Sequence, residues 1–158
     1  MPSRNLILLM LVLSCVFSSA SYGDDYQFTL VDLEKTEKPL IQSMLEHRVI
    51  AEKKNQQIFV QITAEWCTPC KKLRASMDDI MLRRAFNGTY IVRVDADIWE
   101  DELPEINIAL KAVPVFYALS EEGKATSYTI NGGAWGEDVP KNMAPPLFEY
   151  FTGASEFK

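Results

Sequence analysis

Two cysteines three positions apart, Cys67 and Cys70, are the residues of this chain best suited to chemistry. They lie in the segment Ala64-Glu65-Trp66-Cys67-Thr68-Pro69-Cys70-Lys71-Lys72. An apolar, β-branched run from Ile58 to Thr63 precedes it, and a helical pattern starts at Thr68. A buried strand therefore delivers Cys67 to the start of a helix. Backbone N–H groups there lack intrahelical partners and favour negative charge. That setting lowers a thiol's pKa, which makes Cys67 the expected nucleophile. Cys70, one turn on and on the same face, is placed to attack a disulfide formed at Cys67 and release the partner. Pro69 suits a first turn, where its missing N–H costs nothing. Lys71 and Lys72 add positive charge to this end of the helix, and Glu65 opposes it.

Other uses of the spacing fit less well. A structural zinc site needs about four ligands; besides the cysteines there is one histidine, His47, remote in sequence and expected at the surface, so no metal is expected. Haem attachment requires His directly after the second cysteine, where Lys71 stands. A purely structural or redox-sensing disulfide remains a rival, although so short a loop stabilises little through chain entropy. The acidic stretch Asp95, Asp97, Glu100, Asp101 and Glu102 lacks the glycine and terminal glutamate of a calcium loop and reads as a solvated loop.

The 158 residues suffice for one domain with a real core. A net charge of −6 argues against nucleic acid as a partner, because neutralising phosphates needs a basic patch. The N-terminus reads as an export signal over residues 1–20. Arg4 supplies positive charge, Leu6 to Phe17 is apolar apart from Ser14, and Ser18-Ser19-Ala20 is a small-residue cleavage site. Cleavage after Ala20 or after Gly23 are both open. An uncleaved segment would instead anchor the chain in a membrane. Val12-Leu13-Ser14-Cys15 resembles a bacterial lipoprotein box, which would make Cys15 a lipidated first residue. Export implies a periplasmic or secreted protein in a compartment where disulfides persist. Removal of Cys15 with the signal leaves a single cysteine pair.

The elements that must position that pair follow from periodicity. Strands are expected at Phe28–Val31, Ile58–Thr63, Tyr90–Val94, Val113–Leu119 and Ser127–Ile130. Helices are expected at Lys38–Lys53, at Thr68 to about Phe86 with Leu73, Met77, Ile80, Met81 and Leu82 inward, at Pro104–Leu110 and at Pro146–Thr152. A long loop, Gly132 to Pro145, carries Trp135, Glu137 and Asp138. The order β-α-β-α-β-α-β-β-α predicts an α/β domain over residues 26–153. Its central mixed sheet has helices on both faces, parallel pairing among the first three strands and a closing antiparallel hairpin.

From Phe28 to Thr152 the chain resembles the thioredoxin family. Ala64 to Lys71 is similar to its active-site signature, with Thr68 where glycine is usual. Val113-Pro114 resembles the family's cis-proline, and Asn131-Gly132-Gly133 its glycine-containing loop near the cysteines. The resemblance implies a thioredoxin-like fold and an exported thiol–disulfide oxidoreductase that acts on protein thiols and disulfides through a Cys67–Cys70 pair. It implies a redox partner protein, no cofactor and a monomer. Trp66, Thr68, Pro69, Val113 and Pro114 would shape the site and bind substrate backbone. The sequence departs from the family at Gln61, where thioredoxins carry a buried acid that accepts a proton. It also departs in the long 132–145 loop, read either as a partner-binding element or as a cap over the core, and in a short last helix. A non-catalytic binding module using that loop is the alternative function.

Overall fold

The computed structural model describes residues 25–154; the export-signal and lipoprotein readings lie outside the described residues. Five strands form one sheet: β1 (Thr29–Asp32), β2 (Gln57–Thr63), β3 (Thr89–Asp95), β4 (Val115–Leu119) and β5 (Ala125–Asn131). Their spatial order is β1-β3-β2-β4-β5. β3 pairs in parallel with both β1 and β2, and β4 is antiparallel to β2 and β5. This is the mixed sheet expected from helical crossovers followed by a hairpin.

Alternation along the strands sends side chains to two faces. One layer joins Ile58, Val60 and Ile62 of β2 and Val92 and Val94 of β3 to Leu40 and Met44 of α1 (Leu40–Lys53). The other joins Phe59, Ile91 and Phe116 to Leu73 of α2 (Thr68–Ala75), Leu82 and Phe86 of α3 (Ile80–Phe86), and Met143, Leu147 and Phe151 of α4 (Pro140–Gly153). Phe151 is the hub of that layer. Its ring lies 4.8 Å from Phe59, 5.0 Å from Phe86 and 5.5 Å from Phe116.

Three elements differ from the sequence reading. The helix after Cys67 is two helices, not one. Asp79 interrupts it in extended conformation and caps α3, its side chain accepting a 2.8 Å bond from Met81 N–H. The break shifts the helical phase, so Ile80 and Met81 are exposed while Leu73, Met77 and Leu82 are buried. In place of the helix expected from Pro104 there is only a 3-10 turn, Leu103–Ile106, which contains that proline and ends where Asn107 takes a left-handed conformation at φ 63°. The last helix is long: α4 starts at Pro140 and runs through Pro145 and Pro146 to Gly153. Prolines inside a helix remove intrahelical bonds. Here burial of Met143, Ala144, Leu147, Tyr150 and Phe151 holds the helix against this sheet face.

The acidic stretch is also more than solvated loop. Trp99 is fully buried within it, and Lys35 lies 3.9 Å over its ring. Glu102 pairs with Lys35 and accepts a 2.6 Å bond from Leu40 N–H, tying down the start of α1. His47 is half-buried, its Nδ1 2.8 Å from the Tyr90 hydroxyl, rather than a surface residue.

Candidate functional site

β2 ends at Thr63, and four residues later Cys67 is the N-cap of α2, with φ −76° and ψ 105°. The Cys67 carbonyl already accepts from Lys71 N–H at 3.1 Å. Its sulfur takes the place of a capping oxygen, accepting from Cys70 N–H at 3.1 Å. Proline in the first turn, as Pro69, leaves this arrangement undisturbed. Cys67 and Cys70 are joined by a disulfide with Cα atoms 5.3 Å apart. They are 3% and 4% exposed, so burial does not distinguish them. The cap position does: the Cys67 sulfur faces the N-terminal N–H groups that stabilise a thiolate.

The other expected residues divide between rim and floor. Trp66 is 65% exposed beside the pair, and its Nε1 donates to Asp97 Oδ2 at 2.8 Å. Asp97 is placed in turn by Asp95, whose Oδ1 accepts from Asp97 N–H at 2.9 Å. Thr68 and Glu65 are exposed, Pro69 and Val113 half-buried, and Pro114 buried. The Val113–Pro114 bond is cis. Because Ile62 pairs with Val115, the register sets this bond alongside the end of β2 that leads to the cysteines. Gly132 lies against Pro114, donating to its carbonyl at 3.0 Å. A Cβ at Gly132 would meet Pro114 Cδ at 3.4 Å and the Trp135 ring at 3.6 Å. Those are ordinary packing distances; the tighter position is Gly133, where a Cβ would lie 3.0 Å from the Asn131 Oδ1 that caps the turn.

The segment expected as a long loop spans only 132–139, opening with a 3-10 turn, Gly132–Ala134. Trp135 is 6% exposed and belongs to the core layer of Phe59 and Leu73. Its Nε1 donates to Asp138 Oδ1 at 3.1 Å, and the other Asp138 oxygen lies 3.7 Å from Lys72 Nζ on α2. The segment caps the core and fastens the cysteine-bearing helix.

Behind Cys70 lies a cleft of about 340 Å³ lined by Gln61, Thr63, Ala64, Glu65, Cys70, Lys71, Arg74, Arg93 and Asp95. Gln61 and Arg93 are register partners on β2 and β3, both buried. Asp32, the β1 partner of Arg93, accepts from Arg93 Nη2 at 2.6 Å and from Arg74 Nη2 at 2.9 Å. Asp32 and Arg93 were not among the residues singled out from sequence, and Asp97 and Asp138 were read there only as parts of the acidic stretch and the long loop. Lone charged residues carry no spacing signal, although Arg93 within an otherwise apolar strand was a readable anomaly.

The fold and the bonded Cys-x-x-Cys pair define a thioredoxin-fold protein with a redox-competent centre. The thioredoxin family profile matches residues 25–144, and the chain belongs to that family. No curated protein matches the chain by sequence. Among solved structures, the chain is similar to oxidised thioredoxin from Plasmodium falciparum, at 18% identity over 78% of this chain and 99% of that one, with a TM-score of 0.48. It is similar to a disulphide isomerase from Xylella fastidiosa, at 15% identity over 78% and 97%, with a TM-score of 0.49. Thioredoxin from Trypanosoma brucei brucei is 20% identical over 81% and 92%, with a TM-score of 0.49. Family membership and the cysteine pair together are consistent with thiol–disulfide oxidoreductase chemistry in general.

Proposed function

We propose that this protein is an exported thiol–disulfide oxidoreductase that exchanges disulfides with protein substrates in the periplasm or outside the cell. The observation that carries the reading is the Cys67 sulfur at the N-cap of α2, bonded to Cys70 and facing its N–H. In the reducing direction the Cys67 thiolate attacks a substrate disulfide. A Cys67–substrate bond forms, and the other substrate sulfur leaves with the electron pair. Cys70 then attacks Cys67; the intramolecular disulfide forms and the second substrate thiolate is released. The oxidising direction is the reverse. Electrons reside in the sulfurs, so the reaction needs no further cofactor. Pro114 and Val113 would offer backbone to an extended substrate strand beside the end of β2, with Trp66 flanking it. A redox partner protein would return the pair to its starting state.

One observation favours a second reading, a structural or redox-sensing disulfide: both cysteines are almost closed to solvent. The reduction potential, measured by equilibration with glutathione and alkylation, separates the two. Exchange at about −120 mV identifies a disulfide donor, and exchange at about −270 mV a reductase. A pair that never exchanges with glutathione rules out the enzymatic reading. The binding-module alternative loses its main support, because Trp135 is packed into the core.

A further inference from the structure

Segment 132–139 reaches both α2 and the Pro114 loop, and one carboxylate ties its contacts together. Trp135 is buried, so its indole N–H needs an acceptor inside the protein. Asp138 Oδ1 supplies it at 3.1 Å. The other Asp138 oxygen lies 3.7 Å from Lys72 Nζ, two residues beyond Cys70 on α2. The Asp138 side chain is 14% exposed and the Lys72 side chain 56%, so the two contacts differ in worth. An ion pair with one well-solvated partner contributes little. A bond from a buried indole to a carboxylate is charge-assisted, and its donor is costly to leave unpaired. The indole in turn backs the wall beside the end of β2. A Cβ built at Gly132 would lie 3.6 Å from Trp135 Cζ2 and 3.4 Å from Pro114 Cδ, so the two rings converge on the Gly132 backbone. The bond from Gly132 N–H to the Pro114 carbonyl, 3.0 Å long, continues the pairing of Asn131 with Val115 and holds Pro114 at the end of the β4–β5 ladder. Among the described residues Asp138 is bonded to neither cysteine nor to Pro114; it reaches them only through Trp135 and Lys72.

We propose that Asp138 is a positioning residue for protein substrates: by fixing the Trp135 indole it sets where Gly132 holds the Pro114 loop beside the end of β2. The proposal rests on the exchange reading above, in which that loop receives the substrate strand. A small disulfide needs only the sulfurs of Cys67 and Cys70. A protein disulfide also needs its flanking strand placed against the loop. Loss of the indole–carboxylate bond therefore weakens binding of protein substrates and leaves the thiol chemistry alone. The fold does not hang on that bond, because α4 is held by the packing of Phe151 on Phe59 and Phe86. Lys72 orients the carboxylate from α2 and has the smaller part, as its solvation dictates.

The test follows reduction of insulin, as the protein disulfide, and of dithiobis(nitrobenzoate), as the small one, with dithiothreitol as electron donor. In Asp138→Ala, KM for insulin should rise at least about threefold, within the range for a residue that acts on a ligand it does not touch. Its kcat should be unchanged, the signature of lost binding rather than lost chemistry, and the rate with dithiobis(nitrobenzoate) should stay within about twofold of wild type. Asp138→Asn keeps an oxygen for the indole and loses the charge facing Lys72; it should return KM to within about twofold of wild type, and Lys72→Met should match it. Trp135→Phe keeps a ring and removes the N–H. In that background Asp138→Ala should add nothing to KM, because the carboxylate acts through the indole. A destabilised but otherwise intact site would instead lose active protein, which lowers kcat at constant KM. That pattern overturns the proposal, as does a rise in KM below about threefold in Asp138→Ala, or an Asp138→Ala effect undiminished in the Trp135→Phe background. A wild type inert toward both disulfides overturns the exchange reading itself.

Discussion

Reducing the Cys67–Cys70 bond should change the stability of the domain very little. The bond closes a loop with a sequence separation of 3. Chain entropy for so short a loop amounts to about 2 kcal/mol at 25 °C, against about 4.7 for a loop of about 100 residues. Reduction therefore removes about 2 kcal/mol from the folded form relative to the unfolded one. It also creates a thiol at the N-cap of α2, where Cys70 N–H already points at the Cys67 sulfur from 3.1 Å. When that sulfur is a thiolate, the contact becomes charge-assisted and contributes about 1.5–3 kcal/mol. The two effects nearly cancel. Urea unfolding of the oxidised and reduced forms at pH 7, with unchanged slopes, should give free energies within about 1.5 kcal/mol of each other. A structural staple would behave otherwise. An oxidised form more stable by over about 3 kcal/mol would refute the argument, because entropy alone cannot supply that difference. By linkage the same comparison reports how far folding shifts the potential, about 30 mV for each 1.4 kcal/mol.

Other predictions address the frame around the pair. Phe151→Ala should cost about 3–5 kcal/mol, because it empties the centre of an aromatic cluster at 4% exposure; thermal unfolding reads it directly. Asp97→Ala should leave stability within about 0.5 kcal/mol, since the bond it breaks, to exposed Trp66, is at the surface. The same change should raise KM for a protein disulfide several-fold while leaving small-molecule disulfides unaffected. Burial holds the His47 pKa below its ordinary 6.5, outweighing the Glu46 charge that pulls the other way. The unfolded chain then binds a proton that the folded one resists. Stability from this group is complete above about pH 6.5 and falls as pH drops toward the lower folded pKa. Urea midpoints at pH 7.5 and 5.5 should therefore converge in His47→Gln relative to wild type.

Much of this architecture was legible because its signals are local. β-branched runs marked the strands, and the spacing of Cys67, Pro69 and Cys70 implied a helix start. The tight turn at Glu121-Glu122-Gly123-Lys124 implied the β4–β5 hairpin. What escaped depends on partners distant in sequence or on packing that overrides propensity. The apolar pattern continues unbroken past Met77, and only the capping of α3 by Asp79 changes its phase. Two adjacent prolines, Pro145 and Pro146, argued for a helix start, yet α4 tolerates them because five of its side chains are buried. Gln61 was recognisable as a missing acid. Its buried neighbour Arg93 is 32 positions away and meets it only through the pairing of β2 with β3. Asp138 likewise acquires its function from Trp135 and Lys72 meeting in space.

The most direct test of thiol exchange is to trap its intermediate. Cys70→Ser protein, reduced and incubated with a disulfide-containing protein, should accumulate a mixed disulfide at Cys67, seen by mass spectrometry and released by dithiothreitol. Cys67→Ser protein should accumulate far less. An adduct that forms on neither variant, or predominantly at Cys70, would contradict the assignment of Cys67 as the nucleophile of an exchange enzyme.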